Sequence, residues 1–177
     1  MSDVFKEYKI PHAGAKKEIH EFSYELNEKF FANFENALIN KCTIQVNIKF
    51  DKRQEPNIIE VDMDGTIWSE CDRCTGIIPL FIHTSFIIYV KYVIDEALLD
   101  QEEVEIIYIA KDDPYIDITQ FLYDYAHLSI PAHKICDKPG ETEYCDQEIV
   151  GLLEQKMIDN TTDPRWAGLD KLKDKLN

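Results

Sequence analysis

The sequence predicts an α+β protein, with an antiparallel β-sheet in the first two thirds of the chain and helices in the last third. Two adjacent segments alternate between apolar and polar residues with a period of two, which is typical of half-buried strands. A helical pattern with a capping residue begins at Asp117, and further helical patterns follow it. Strands and helices that occupy separate parts of a chain favour this fold class. The sheet either stays open or curls into a partial barrel or sandwich, and the pattern leaves both alternatives open.

The length of the chain predicts a single domain over residues 1–177. Within it we distinguish a strand-rich core that ends with the capped helix, residues 14–130. The remainder, residues 131–177, is a polar loop that contains cysteines, followed by C-terminal helices. Hydrophobic residues make up 45% of the chain, which is typical of a globular protein and argues against extensive disorder.

Strand patterns occur in five segments. Residues 18–26 alternate imperfectly, whereas residues 42–50 place all their apolar side chains on one face. Residues 58–68 alternate in the same way, and the polar link between these two segments predicts a β-hairpin. Residues 77–94 are rich in β-branched and aromatic residues, so we expect a strand that is largely covered on both faces. Residues 104–110 predict one more short strand.

Helical patterns occur in four segments. Residues 27–38 predict a short helix with Asn27 as N-cap. Residues 117–130 predict a helix in which Asp117 and Gln120 form a capping box. Residues 147–157 predict one or two helical turns. Residues 163–177 predict a C-terminal helix, with Asp163 as cap and a proline at the first helical position.

The charge balance is acidic, with 34 acidic and 19 basic residues and a net charge of −15. Nonspecific binding of nucleic acid depends on Lys and Arg that neutralise phosphates, so we expect weak or no binding to naked nucleic acid. The composition favours a partner with a basic surface. Much of the excess lies between Asp95 and Glu148, where it forms either a solvated face or a docking face.

Several classes of function are disfavoured. No stretch of 18 apolar residues is present, and the N-terminal residues lack the apolar region of a secretory signal. We therefore expect a soluble, cytoplasmic protein without a membrane partner. The phosphate-binding loops of nucleotide enzymes are absent from the sequence, and only six glycines are present. We expect neither an enzyme nor a small-molecule substrate.

The cysteines predict a metal site. Cys71 and Cys74 form a C-x2-C pair between two predicted strands, where such a turn presents two thiolates to one ion. A structural zinc ion needs four ligands, and Cys136 and Cys145 are the candidates for the other two. His133 could substitute for either of them.

Two alternative interpretations of these cysteines stay open. One is a set of reduced, partly buried thiols, since free cysteine often packs as a small hydrophobe. The other is redox catalysis, although an extended segment follows the pair where a helix would lower the thiol pKa. Cys42 lies on the apolar face of a predicted strand, so we expect it in the core.

Three motifs together resemble a known family. CDRC occupies residues 71–74 between strand patterns, IDITQFLYDYAHLSIPAHKIC occupies residues 116–136, and DPRWAGLDKLK occupies residues 163–173. This combination, over roughly residues 15–175, is similar to the YceD-like family of bacteria and plant organelles. The chain departs from the family in its sparser cysteines after the proline and in Thr75, where Leu is common.

The resemblance implies a role in the synthesis, processing or stability of 23S ribosomal RNA, and it implies metal binding. We therefore expect a non-enzymatic accessory factor that binds a ribosomal protein or a pre-ribosomal RNA–protein surface. Arg73 matches the family, and it is a candidate RNA or partner contact unless it pairs with a neighbouring carboxylate. Arg165 and Lys171, in the C-terminal segment, are further candidates. The alternative is a zinc- or thiol-dependent CxxC protein without a ribosomal role.

Overall fold

The computed structural model describes residues 7–53, 55–93, 105–110, 112–136 and 143–158. In this part of the chain the strands are β1 (Lys9–Pro11), β2 (Ile19–Asn27), β3 (Lys41–Asp51), β4 (Asn57–Glu70), β5 (Ile77–Val93), β6 (Ile106–Ala110) and β7 (Tyr115–Asp117). The helices are α1 (Glu28–Phe31), α2 (Thr119–Leu128) and α3 (Gln147–Ile158). Strands therefore dominate the first two thirds, as the sequence predicts.

The main sheet has five strands in the order β2-β3-β4-β5-β6. The first four strands are antiparallel neighbours, but β6 runs parallel to β5, with Tyr89 opposite Ile106. The prediction of a purely antiparallel sheet is therefore wrong at this edge. The reason lies in the connection, since residues 94–105 are numerous enough to return the chain for a parallel pairing, which a tight turn cannot do.

The hairpin of β3 and β4 forms where the sequence predicts it. Asp51 lies opposite Ile58, and Lys41 lies opposite Trp68 at the far end. Most apolar residues of both strands point into the core and are buried, whereas the residues between them, including the half-buried Ile58 and Trp68, point outward. This alternation fixes the register, because a slip by one residue would turn the whole apolar set towards water.

Strand β5 is covered on one face only, so the prediction of two covered faces is wrong. Its inward residues, such as Phe86 and Ile88, are buried. Its outward residues include Ile77, Phe81 and Ile87, which are 58%, 84% and 41% exposed. An antiparallel sheet can leave one face to water. A high content of β-branched and aromatic residues indicates a strand but does not reveal how many faces are packed.

The inner face of the sheet packs against helix α2 and the segment that contains α1. Tyr125 of α2 stacks on Phe86 with ring centroids 3.7 Å apart, and Leu122 is fully buried in the same cluster. His127 joins the two helical segments, because its Nε2 accepts a hydrogen bond from the Leu38 amide and its Nδ1 donates to the Tyr123 carbonyl. These contacts close the main core.

The helix starts agree partly with the sequence. Asn27 caps α1, as predicted, because its side chain accepts a hydrogen bond from the Lys29 amide. Asp117 accepts a hydrogen bond from the Thr119 amide at the start of α2. The predicted capping box does not form, since the amide group of Gln120 donates to Asp124 instead.

A second, two-stranded sheet of β1 and β7 is absent from the sequence prediction. Each strand has three residues and contributes one fully buried side chain, Ile10 or Ile116. Strands this short show no recognisable alternation, so tertiary packing decides their conformation.

Helix α3 is longer than predicted, with 12 residues. The predicted helix at residues 163–177 lies outside the described residues. Within the described residues, every helix is too short or too polar to span a membrane.

Candidate metal centre

The turn between β4 and β5 carries the C-x2-C pair. The amide of Cys71 donates to the Gly76 carbonyl at 2.9 Å, and the amide of Thr75 donates to the Cys71 carbonyl at 3.0 Å. Thr75 adopts a left-handed conformation with φ of 58°, which is uncommon for a β-branched residue. The chain is thus tightly turned between the two strands, and this turn places both thiols on one side.

Four cysteine side chains meet at this turn. Cys136 Sγ lies 3.8 Å from Cys71 Sγ and 3.9 Å from Cys74 Sγ. These three sulfur atoms lie within 4.8 Å of one another. Cys145 Sγ lies 3.1 Å from Cys136 Sγ and is only partly buried. The structure therefore brings three of the predicted ligands into one group, with the fourth beside it.

Hydrogen bonds join the turn to the segment after α2. The Asp72 amide donates to the Lys134 carbonyl at 2.7 Å, and the Lys134 amide donates back to the Asp72 carboxylate at 2.8 Å. The Lys134 ammonium also lies 3.7 Å from this carboxylate. These contacts hold Cys136, two residues later, against the turn.

The segment before α3 packs against the same turn. A Cβ atom at Gly76 would collide with the Tyr144 carbonyl oxygen, so only glycine allows this close approach. The Asp146 carboxylate then accepts hydrogen bonds from the Glu148 and Ile149 amides and caps α3. Cys145 is therefore positioned by a backbone contact on one side and a capped helix on the other.

The cysteines form the centre of a second hydrophobic cluster, distinct from the main core. Cys71, Cys74 and Cys136 are 1%, 0% and 5% exposed. Ile78 at the start of β5 and Val150 of α3 are buried with them. The thiol groups are the only polar groups among these side chains. The cluster is therefore suited to bind a metal ion away from water.

The electrostatic environment gives two of the thiols very different pKa values. Burial raises the pKa of Cys71, but hydrogen bonds from the backbone of Cys74, Arg73 and Cys136 outweigh it and lower this pKa to about 6. The hydrogen bond to Cys145, burial and the neighbouring sulfurs raise the pKa of Cys136 to about 12. Backbone N–H groups thus favour a thiolate at Cys71, the form that binds metals.

Cys71, Cys74 and Cys136 have sulfur spacings compatible with a zinc ion, whereas Cys145 Sγ lies closer to Cys136 Sγ than zinc-bound sulfurs do, at 3.1 Å. Four sulfur atoms at about 2.3 Å from a tetrahedral zinc ion lie about 3.8 Å apart. The two distances from Cys136 to Cys71 and Cys74, 3.8 and 3.9 Å, match this value. Cys145, the less buried thiol, is the candidate for the fourth ligand. A bound zinc ion would supply a cross-link between the sheet, the segment after α2 and the start of α3.

Of the other predicted site residues, Arg73 lies inside the turn, where its backbone amide donates to Cys71 Sγ at 3.5 Å. His133 is exposed and lines a neighbouring groove, so the sulfur group does not include it. Within the described residues Arg73 makes no ion pair, and its neighbour Asp72 pairs with Lys134 instead. Arg165 and Lys171 lie outside the described residues. Cys42 is buried in the main core, as its strand pattern predicts, and burial raises the pKa of its thiol to about 12.

Sequence reasoning missed an apolar groove beside the cysteines. It has a volume of about 560 Å³, and its apolar wall is formed by Ile135, Val150 and Leu153. Arg73 and Glu154 lie at its rim. The only sequence signal was the run of apolar residues in α3, which a short helix would equally need for packing.

Comparisons with known proteins bear on the identity of this chain. No curated protein matches it, and no solved structure matches it. Residues 59–173 match the profile of a family described as large ribosomal RNA subunit accumulation protein YceD. The match spans the β4–β5 turn and all four clustered cysteines, and it covers more than half of the chain. The chain therefore belongs to the YceD family.

Proposed function

We propose that this chain is a non-enzymatic accessory factor in the accumulation of large-subunit ribosomal RNA. It acts by binding a ribosomal protein or an RNA–protein surface. The observation that carries the proposal is the family match over residues 59–173, since the family is described by that role. The cysteine cluster supports it, because a cross-linked, rigid surface suits docking.

Burial of the thiols supports a structural role for the cluster. Catalytic cysteines lie in partly exposed positions, where a substrate can reach the sulfur. Cys71 and Cys74 are 1% and 0% exposed, so an approaching molecule would contact other atoms first. We propose that zinc binds to Cys71, Cys74, Cys136 and Cys145 and stabilises the fold.

The groove beside the cluster supports a protein partner. Apolar patches rimmed by polar residues are typical of interaction sites. Leu153 and Ile135 are 36% and 43% exposed along this groove. The net charge of −15 favours a basic partner, which is the usual character of a protein that binds RNA. The proposed occupant is an apolar segment of a basic ribosomal protein.

Depletion of the protein from growing cells tests this function. We expect a lower ratio of large to small ribosomal subunits and a lower level of large-subunit RNA. Sucrose-gradient profiles and RNA quantification measure both quantities. Unchanged subunit ratios after complete depletion would contradict the proposal.

The groove is tested by complementation of the depleted cells with two variants of α3. Leu153→Glu places a charge in the apolar groove, so we expect loss of partner capture and failure to restore the subunit ratio. Leu152→Glu is the matched control, because Leu152 is 54% exposed and does not line the groove. Each purified variant should unfold at nearly the wild-type temperature. Equal complementation by both variants would exclude the groove as the docking site.

A zinc- or thiol-dependent protein without a ribosomal role is the second candidate function. The lowered pKa of Cys71 favours it, because thiolate is the reactive form of cysteine as well as its metal-binding form. Replacement of Cys71 and Cys74 discriminates between the two functions, as argued below.

A further inference from the structure

An open cleft with a volume of about 680 Å³ lies among the β1–β2 loop, the β3–β4 turn and the end of β5. Its charged lining residues are Lys17, Lys52, Arg53 and Glu55. The cleft thus carries an excess of positive charge on a protein whose net charge is −15. Such a local reversal of charge is a candidate anion site.

The pairing of β2 with β3 explains why these lysines meet. Ile19 at the start of β2 lies opposite Asp51 at the end of β3. The residues just before β2 and just after β3 must therefore lie side by side. The Lys52 amide continues this pairing with a hydrogen bond to the Glu18 carbonyl. Lys17 and Lys52 are brought together by register, although they are far apart in the sequence.

The ammonium group of Lys52 is held in place by backbone carbonyls, and no carboxylate in the described part of the chain forms an ion pair with it. It donates hydrogen bonds to the carbonyl oxygens of His12 and Ala15, at 2.6 and 3.0 Å. These carbonyls are neutral, so the positive charge remains, and the loop is fixed around it. A fixed charge binds an anion at a smaller entropic cost than a mobile side chain does.

Lys17 supplies a second charge at the mouth of the cleft. Its side chain is exposed, and within the described residues neither Lys17 nor Lys52 forms an ion pair with a carboxylate. Arg53 differs, because Asp51 holds its guanidinium in a two-point contact. The remaining positive charge is therefore that of the two lysines, set against the one carboxylate of the lining, that of Glu55.

We propose that this cleft binds a phosphate group of an RNA backbone, with Lys17 and Lys52 as the contacts. This inference deepens the proposed function, on which its choice of RNA as the anion rests. Lysine ammonium groups bind phosphate as point charges. The loop is open at Gly14, because a Cβ atom added there would meet no atom within 4 Å. An RNA strand can therefore approach the loop closely. The remaining acidic surface repels RNA and limits contact to this place.

Binding of a fluorescent single-stranded oligouridine tests the site. With the full chain at about 50 mM salt, we expect measurable binding. The affinity should fall as salt rises, because binding of the lysines releases counter-ions from the RNA phosphates. Lys17→Glu should lower the affinity about tenfold and reduce the salt dependence by the contribution of about one phosphate contact. Lys17 is exposed, so this variant should fold normally.

Lys41→Glu is the matched control. Lys41 is also exposed, and its replacement by Glu changes the net charge of the chain by the same amount as Lys17→Glu. Lys41 lies at the opposite end of β3 from the cleft. We expect it to retain nearly wild-type affinity. Absence of RNA binding by the wild-type chain, or equal loss in both variants, would overturn the site. Cell depletion distinguishes this failure from failure of the proposed function, because an altered subunit ratio would leave the function standing.

Discussion

Replacing Cys71 and Cys74 together by serine is expected to remove bound zinc and to lower the free energy of unfolding by at least about 3 kcal/mol. The reason is that metal binding and folding are coupled when the ligands come from separate segments. Here the ligands come from the β4–β5 turn, the segment after α2 and the residues before α3. A chain of this size should lose roughly 10 °C in its melting temperature.

Circular dichroism and elemental analysis of protein purified without a polyhistidine tag measure the two effects. The control is Cys42→Ala, since Cys42 is buried in the main core and its thiol lies 3.7 Å from the Leu26 carbonyl. We expect this variant to lose a little stability and to keep its zinc. A chelator should destabilise the wild-type chain and leave the double variant unchanged. Wild-type protein with far less than one equivalent of zinc would contradict the prediction.

The same double variant separates the two candidate functions. If the cluster is structural, loss of function should follow loss of folding, and conditions that restore folding should restore partner binding. If the cluster is catalytic, the variant should stay folded and lose activity. A folded, zinc-free variant that keeps a normal ratio of ribosomal subunits but loses a thiol-dependent activity would therefore favour the second function.

The sequence predicts the parts of this fold that are determined by local pattern. The alternation from Cys42 to Phe50 predicts a strand, its buried face and, with the next segment, the β-hairpin. Asn27 predicts the start of a helix, because an N-cap depends on its own neighbours. The C-x2-C spacing likewise predicts a turn that presents two thiols.

Other features depend on contacts between distant segments, and local pattern does not specify them. The direction of β6 depends on its pairing with β5, and the exposed face of β5 depends on where the helices pack. The basic cleft is predictable only in part. The sequence predicts strands β2 and β3 but not their pairing, and Lys52 directly follows β3. Once that register is known, the meeting of Lys17 with Lys52 follows from it.

Gly76→Ala is expected to lower the free energy of unfolding by about 1–3 kcal/mol and to weaken zinc retention. An added Cβ would collide with the Tyr144 carbonyl oxygen, which belongs to the backbone and cannot rotate away. The segment that carries Cys145 must then move off the turn that carries Cys71 and Cys74. Thermal unfolding and the rate of zinc transfer to a chelator measure these effects.

Gly151→Ala is the matched control for this substitution. Gly151 lies in α3, close in sequence to the same cluster, and an added Cβ there meets no atom within 4 Å. Alanine in a helix is about 0.5–1 kcal/mol more favourable than glycine, so this variant should gain stability and keep its zinc. The same chemical change is thus expected to act in opposite directions at two positions. If Gly76→Ala also gained stability, the contact between the turn and residues 144–146 would not hold the cluster together. The cysteine-linked surface would then lose its physical basis.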